Sequence, residues 1–194
     1  MYVCIRPDTA RSRHRQAGFT LVELMLVMAL ATTIGALALP RFNEFLQSQR
    51  ARNAARLVER ELQIARLKAV ATSRSLRVRF NCPAAGQVRI LEVTGVAATD
   101  NATSRCDPAT YPSPGPQDTL KSTPSLDSPV VYLPTGTTVT GPATNYEFSP
   151  SGNVYSVSAT NVVTMLNGDV TLTVTRGSYS KTVTMNALGR VRLN

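Results

Sequence analysis

The hydrophobic pattern divides the chain into an apolar segment, an amphipathic segment and a region of short alternating runs. Residues 19–39 are apolar apart from one charged side chain, Glu23. As an α-helix rising about 1.5 Å per residue, this segment would span about 31 Å, close to the hydrocarbon thickness of a bilayer. The pattern therefore predicts a transmembrane helix.

The next segment, residues 40–72, predicts an amphipathic helix. After Pro40, where we expect a kink, it contains no Gly or Pro and is rich in residues that favour helices. Apolar residues recur on one face with helical spacing, and these are Val58, Leu62, Ala65 and Ala69. We expect this face to pack on a sheet formed by the rest of the chain.

Short strands are predicted from residue 73 onward. The expected strands are 76–80, 88–93, 130–133, 137–140, 146–148, 154–157, 162–166, 170–175, 179–185 and 190–193. Asn167-Gly168 is typical of a two-residue hairpin and predicts that the strands on either side of it pair. Residues 95–128 form a long loop rich in Ser, Thr, Pro, Asp and Asn. The predicted fold class is α+β, with a long N-terminal helix packed on an antiparallel β-sheet head.

Charge is distributed unevenly along this pattern. The chain has 21 Lys and Arg against 12 Asp and Glu, a formal net charge of +9, which favours nucleic acid or anionic membranes as partners. Four arginines precede the apolar run, so the positive-inside rule places residues 1–18 in the cytoplasm. His14 is the single histidine, and the sequence contains no phosphate-binding loop, metal-ligand spacing or serine elbow. We expect no enzymatic activity, no cofactor and no metal site.

The apolar run allows three interpretations. It could be an ordinary signal anchor, or a secretory signal cleaved after the small-residue site Ala36-Leu37-Ala38. Glu23 argues against both, because a carboxylate costs about 2.5–3.5 kcal/mol at the bilayer centre. The third interpretation comes from Gly18-Phe19-Thr20-Leu21-Val22-Glu23 after a basic leader, which resembles the signal of type IV pilins and type II secretion pseudopilins.

This resemblance implies a processing event and an assembly. A prepilin peptidase is expected to cut between Gly18 and Phe19 and to methylate the new N-terminus. Glu23 is then expected to pair, in a filament, with the α-amine of Phe19 from a neighbouring subunit. The other implied partners are minor and major pilins (or pseudopilins), and the inner membrane before assembly.

The resemblance also implies a domain organisation and a location. The expected parts are a leader (1–18), a transmembrane or filament-core helix (19–39), an amphipathic helix (40–72) and a periplasmic β-rich head (73–194). The chain is expected to cross the bacterial inner membrane once and to reach the pilus filament and cell surface after assembly. Arg52, Arg56 and Arg60 recur on one helix face, which is either solvated or contacts an acidic surface of a neighbouring subunit.

The head carries a more specific resemblance. The turn 148–152 and the ending 189–193 resemble the C-terminal domain of the GspH/FimT branch of minor pilins. Its Gly-Arg-x-Arg ending resembles the DNA-contacting tail of FimT-type minor pilins in naturally transformable bacteria.

The tail residues themselves suggest how DNA would be bound. Arg190 and Arg192 should project from one face of a strand, and Gly189 should leave room for a DNA backbone. Lys181 and Arg176 could extend the patch, since residues 170–194 contain no acid. The predicted partner is double-stranded DNA, bound without regard to sequence. The alternative is that solvated arginines only protect a strand edge from aggregation.

The three cysteines agree with a cytoplasmic leader and a periplasmic head. Cys4 lies in the leader, whereas Cys82 and Cys106 would face an oxidising compartment, where a disulfide is expected. The alternative is a pair of buried free thiols.

Three functions follow from these observations. The favoured one is a minor type IV pilin that takes part in pilus assembly or tip structure and acts as a DNA receptor in DNA uptake for natural transformation. The main alternative is the H-type minor pseudopilin of type II secretion. A membrane-anchored periplasmic binding domain unrelated to filaments is the third.

Overall fold

The first described element of the chain is one long helix. The computed structural model describes residues 18–113, 124–158 and 160–194, so the expectations for residues 1–17 lie outside the described residues. Helix α1 (Leu21–Thr72) includes both predicted helical segments, and its helical assignment continues through Pro40. Thr20 caps it, since its Oγ1 accepts a hydrogen bond of 3.2 Å from the backbone N–H of Glu23.

The chain divides into two compact units between Asn43 and Glu44. In the first unit, large apolar side chains of α1 are exposed, for example Leu21 at 73% and Val27 at 54%. The most apolar 18 residues of α1 have a mean hydropathy of 2.1 and none of them is buried, so this helix has the length and composition needed to cross a membrane.

The second unit contains the strands. Within the described residues these are β1 (Leu76–Phe80), β2 (Gln87–Glu92), β3 (Val131–Tyr132), β4 (Thr137–Thr140), β5 (Asn145–Phe148), β6 (Val154–Val157), β7 (Val163–Met165), β8 (Val170–Arg176), β9 (Tyr179–Met185) and β10 (Val191–Leu193). They form a six-stranded sheet, β3-β2-β1-β5-β6-β7, and a four-stranded sheet, β10-β9-β8-β4. Neighbouring strands pair antiparallel throughout. The α+β prediction is confirmed, and each predicted strand matches an observed one to within two residues at either end.

The predicted hairpin at Asn167-Gly168 is wrong. β7 pairs with β6 in the larger sheet, whereas β8 pairs with β9 and β4 in the smaller sheet. The chain therefore passes from one sheet to the other at this turn. The next two strands do form a hairpin, since Arg176 of β8 pairs with Tyr179 of β9 across Gly177, whose φ is +58°.

The core lies between α1 and the two sheets. The predicted apolar face of α1 is fully buried, with Val58, Leu62, Ala65 and Ala69 each 0% exposed. It packs with side chains from both sheets, including Phe148 from β5 and Leu172 from β8. Fully burying a large apolar side chain stabilises the fold by roughly 1.5–3 kcal/mol. Within the second unit, this packing fixes the C-terminal part of α1 against the sheets.

The second face of the larger sheet is covered by the described parts of the long loop. The loop contains helix α2 (Ala97–Asp100) and one 3₁₀ turn (Thr103–Cys106). Buried arginines of the sheet donate to loop carbonyls, since Arg89 Nε reaches Ser128 O at 3.0 Å and Arg79 Nη1 reaches Ala102 O at 3.3 Å. Burial, together with the nearby Arg77 and Arg105, lowers the pKa of Arg79. The residues of 95–128 that the structure describes are thus packed on the sheet.

A carboxylate of the sheet and a disulfide complete this attachment. Glu92 Oε2 accepts hydrogen bonds from the backbone N–H groups of Ser125 at 2.7 Å and Leu126 at 3.0 Å. Cys82 and Cys106 form the expected disulfide, with their Cα atoms 5.5 Å apart. The bond links the residues that follow β1 to the 3₁₀ turn of the loop.

Candidate nucleic-acid interface

Arg190 and Arg192 lie together on the edge strand of the smaller sheet. β10 pairs with β9 so that Val191 faces Met185 and Arg192 faces Thr184. Val191 and Met185 are buried in the core, so the arginines on either side of Val191 project from the opposite, exposed face. Both arginines line one pocket of about 150 Å³, which confirms that they share a face.

The turn before β10 is held by backbone hydrogen bonds to Asn186. Its side-chain Oδ1 accepts from the N–H of Arg190 at 2.8 Å, and its carbonyl accepts from the N–H of Gly189 at 2.9 Å. Asn186 also donates its own N–H to the carbonyl of Arg190 at 3.1 Å. These bonds fix the start of β10 and hence the direction of the Arg190 side chain.

Gly189 has a different role from the one expected. Its φ is +73°, a conformation that favours glycine. A Cβ at this position would lie 2.6 Å from Cδ and 2.7 Å from Nε of Arg66, and 2.9 Å from the carbonyl oxygen of Gly152. The space into which a Cβ of Gly189 would project is therefore filled by Arg66 and Gly152, so the missing side chain makes room for the protein itself and not for a DNA backbone.

Arg66 was missed by the sequence analysis. It lies on α1 and lines, with Gln63, Leu67, Gly189, Arg190 and Val191, a second groove of about 290 Å³. Its contact with the Gly189 turn joins residues that are distant in sequence, so no local pattern could have revealed it.

Lys181 and Arg176 do not join the other two arginines. Lys181 pairs with the buried Val174 and lies two residues before the buried Val183, so it is on the same face of the sheet as both. Arg192 pairs with Thr184, which is on the opposite face. Arg176 lies at the hairpin between β8 and β9, where its side chain donates to Gln47 on α1 and to the carbonyl of Thr135. At about 3.4 Å per residue, that hairpin is roughly 20 Å along β9 from the end where β10 pairs. The expected four-residue patch is therefore divided.

An acidic residue belongs to the Arg190–Arg192 pocket. Asp169 lines it together with Thr184 and Asn186, although it lies just outside the stretch 170–194 that is free of acid. Its side chain is exposed. The pocket therefore offers two cations and one anion to a ligand.

The guanidinium groups of this region are available for an external partner. Arg66, Arg190 and Arg192 make no side-chain hydrogen bond or ion pair with the residues that the structure describes, and Nε of Arg66 is buried without a partner. A guanidinium donates two parallel hydrogen bonds to a phosphate. This arrangement can bind phosphates, and in the described ranges no group of three or more His, Cys, Asp or Glu could hold a metal ion.

The remaining predicted residues lie in the N-terminal unit or on the exposed face of α1. Gly18 and Phe19 precede the helix, and Glu23 lies exposed in its first turn. Arg52 and Arg56 are exposed on α1, and Arg60 forms an ion pair of 3.1 Å with Glu61. Exposure of this stripe agrees with both interpretations given for it.

Comparisons with known proteins identify two parts of the chain. Residues 13–39 match the model of the prokaryotic N-terminal methylation motif, and residues 54–189 match the model of the type II transport protein GspH. A search among curated proteins finds no match.

Solved structures with a similar fold include a minor pilin and a minor pseudopilin. The type IV minor pilin FimU of Pseudomonas aeruginosa has 13% identity and a TM-score of 0.45, over 77% of this chain and 92% of that chain. The minor pseudopilin EpsH of the type 2 secretion system of Vibrio cholerae has 16% identity and a TM-score of 0.38, over 75% of this chain and 96% of that chain. Because the second model matches more than half of the chain, the chain belongs to the GspH family of minor pilins and pseudopilins, which are structural proteins, and its N-terminus carries the methylation motif.

Proposed function

We propose that this chain is a minor type IV pilin that binds double-stranded DNA through Arg190 and Arg192 during DNA uptake. The observation that carries the proposal is that both arginines line one exposed pocket, with guanidinium groups unpaired among the described residues. Two such contacts bind a duplex without regard to sequence, and their affinity should be no tighter than the Kd of about 10⁻⁴–10⁻⁶ M that is typical of non-specific binding at physiological salt.

The proposed life cycle follows from the N-terminal motif. The leader 1–18 is removed after Gly18, Phe19 is methylated, and residues 19–39 hold the chain in the inner membrane until it enters a filament. The head, residues 73–194, then lies in the periplasm and later at the cell surface. The Cys82–Cys106 disulfide supports this location, because disulfides persist in oxidising compartments.

Glu23 provides the test of filament assembly. Its carboxylate is proposed to pair with the α-amine of Phe19 of a neighbouring subunit, and loss of one partner of a buried pair is strongly destabilising. Glu23→Ala should therefore insert into the membrane at least as well as wild type but fail to enter sheared filaments. Normal incorporation of this variant would remove the proposed role.

DNA binding is tested with the full chain in a non-ionic detergent. Arg190→Ala with Arg192→Ala should weaken binding of unrelated duplexes alike and reduce the salt dependence by about two phosphate contacts. In cells, DNA uptake should fall while pilus assembly continues. The matched control is Arg52→Ala with Arg56→Ala, which removes the same charge from the exposed face of α1. Unchanged binding by the Arg190/Arg192 variant would leave only protection of the strand edge as a role for these arginines.

The alternative function is the H-type minor pseudopilin of type II secretion. The family model that matches residues 54–189 is named for that system. Deleting the chain from its own organism separates the two: loss of transformation with intact secretion supports the pilus, and loss of secretion supports the pseudopilin.

A further inference from the structure

The two stretches that resemble minor pilins meet at one side chain of α1. Gly152 ends the turn that follows β5, and Gly189 ends the turn before β10. A Cβ on Gly152 would lie 3.5 Å from Nε of Arg66, and one on Gly189 only 2.7 Å from the same atom. Arg66 therefore passes between the two turns: it fills the space where a side chain of Gly189 would begin, and it lies within van der Waals distance of where a Cβ on Gly152 would be.

This position aims Arg66 at the groove beside Arg190. Both side chains line the 290 Å³ groove between α1 and the Gly189 turn. Arg190 also lines the pocket that contains Arg192, so the two concave sites adjoin at Arg190. Arg66, Arg190 and Arg192 thus line two adjoining sites that extend from α1 to the edge strand β10.

We propose that Arg66 is a third phosphate-binding guanidinium of the interface, positioned by Gly152 and Gly189 to hold a DNA phosphate in the groove that it shares with Arg190. This inference rests on the proposed DNA binding by Arg190 and Arg192.

The surroundings of Arg66 support a binding role. Its Nε is buried without a hydrogen-bond partner, an arrangement that costs folding free energy and brings no ion pair among the described residues. The same burial restricts the side chain before any ligand arrives. Less conformational entropy is then lost on binding than for a freely moving arginine.

The groove also fits an extended polyanion better than a single small anion. Its lining combines Arg66 and Arg190 with the exposed apolar side chain of Leu67, and it has no carboxylate. The adjoining pocket continues the path to Arg192. A nucleic-acid backbone, with a phosphate at every nucleotide, could occupy both sites at once.

The experiment measures how the affinity of the full chain for a fluorescent duplex depends on salt, in a non-ionic detergent. Each lost phosphate contact should shrink the fall in affinity between ~50 and ~200 mM salt by a factor of about 3.5. Arg66→Gln should show this reduction, and Arg66→Lys should keep most of the wild-type salt dependence because it keeps the charge. Arg52→Gln, an exposed arginine of the same helix outside the groove, is the matched control and should bind as wild type does.

The outcomes separate the two proposals. If Arg66→Gln retains the wild-type salt dependence while Arg190→Ala with Arg192→Ala loses it, the role of Arg66 is overturned and the proposed function stands. If the double variant also binds normally, the proposed function fails. If Arg52→Gln weakens binding as much as Arg66→Gln does, the loss of net charge explains both results, and the proposed contact of Arg66 in the groove is overturned. Thermal unfolding of each variant shows whether the fold is intact, and Arg66→Lys decides the question if Arg66→Gln does not fold.

Discussion

Asp169 and Arg192 line the same pocket, although Asp169 immediately precedes β8 and Arg192 lies two strands away in β10. A carboxylate in this pocket opposes the approach of a phosphate to the two arginines. Asp169→Asn should therefore strengthen binding of duplex DNA, by up to about fivefold if its effect reaches the upper end for exposed charge pairs. Fluorescence anisotropy at low salt measures the change.

The control for this prediction is Glu59→Gln, which removes the same charge from α1 outside the pocket. It should raise the affinity less than Asp169→Asn does. Equal gains would mean that only net charge matters, and the pocket would have no special role.

Gly189→Ala should destabilise the head more than an alanine at another glycine with a positive φ. The matched comparison is Gly136, whose φ is +78° and whose Cβ would meet nothing within 4 Å, whereas a Cβ at Gly189 would collide with Arg66. Gly136→Ala should cost roughly 1–2 kcal/mol for the backbone conformation alone. Urea unfolding followed by circular dichroism measures both variants, and equal losses would show that Arg66 moves aside freely.

Stability should fall in acid because of Glu92. Burial alone would raise the pKa of Glu92, but the N–H groups of Ser125 and Leu126 and the guanidinium of Arg74 outweigh burial and lower the pKa below 4.5. Since the folded pKa is lower than the unfolded one, the carboxylate stabilises the fold fully above pH 4.5, and this contribution is lost as the pH falls through the folded pKa.

Glu92→Gln tests this directly. At neutral pH it should lower the free energy of unfolding by about 2 kcal/mol, a value within the range measured for hydrogen bonds to charged groups. At acidic pH the difference from wild type should shrink, because the wild-type carboxyl is then protonated as well. A difference that stays constant with pH would assign the loss to packing.

Gly18→Ala should block processing of the leader. The peptidase is expected to need the smallest residue beside the cut, so the variant should retain residues 1–18 in the membrane fraction. Mass spectrometry of the N-terminal peptide distinguishes the retained leader from a methylated Phe19. An intact leader in the wild-type chain would contradict the proposed cleavage.

Local patterns in the sequence predicted the elements of the fold but not all of their partners. Alternation located strands such as β4, which buries one of its faces and exposes the other. The Asn167-Gly168 signal failed because a turn motif is local, whereas strand pairing depends on burial. Val163 and Met165 of β7 remain exposed, while Leu172 of β8 is needed in the core, so the two strands join different sheets.

Only the part of the candidate site formed by residues close together in the sequence could be predicted. The spacing of Arg190 and Arg192 sufficed to place both on one face of a strand. The same rule, applied from the buried Val183, would have put Lys181 on the other side of the sheet. Arg66 and Asp169 reach the site through contacts between distant parts of the chain, which depend on the packing of α1 and on the order of the strands.

The close approach of Arg66 to Gly189 links two positions in the evolution of this chain. A side chain at Gly189 would have to take space that Arg66 now fills, so such a change requires a shorter residue at position 66 in the same lineage. Conversely, while position 189 remains glycine, position 66 can accept a long cation with little rebuilding of the backbone. Positions 66 and 189 should therefore vary together among descendants of the same ancestor.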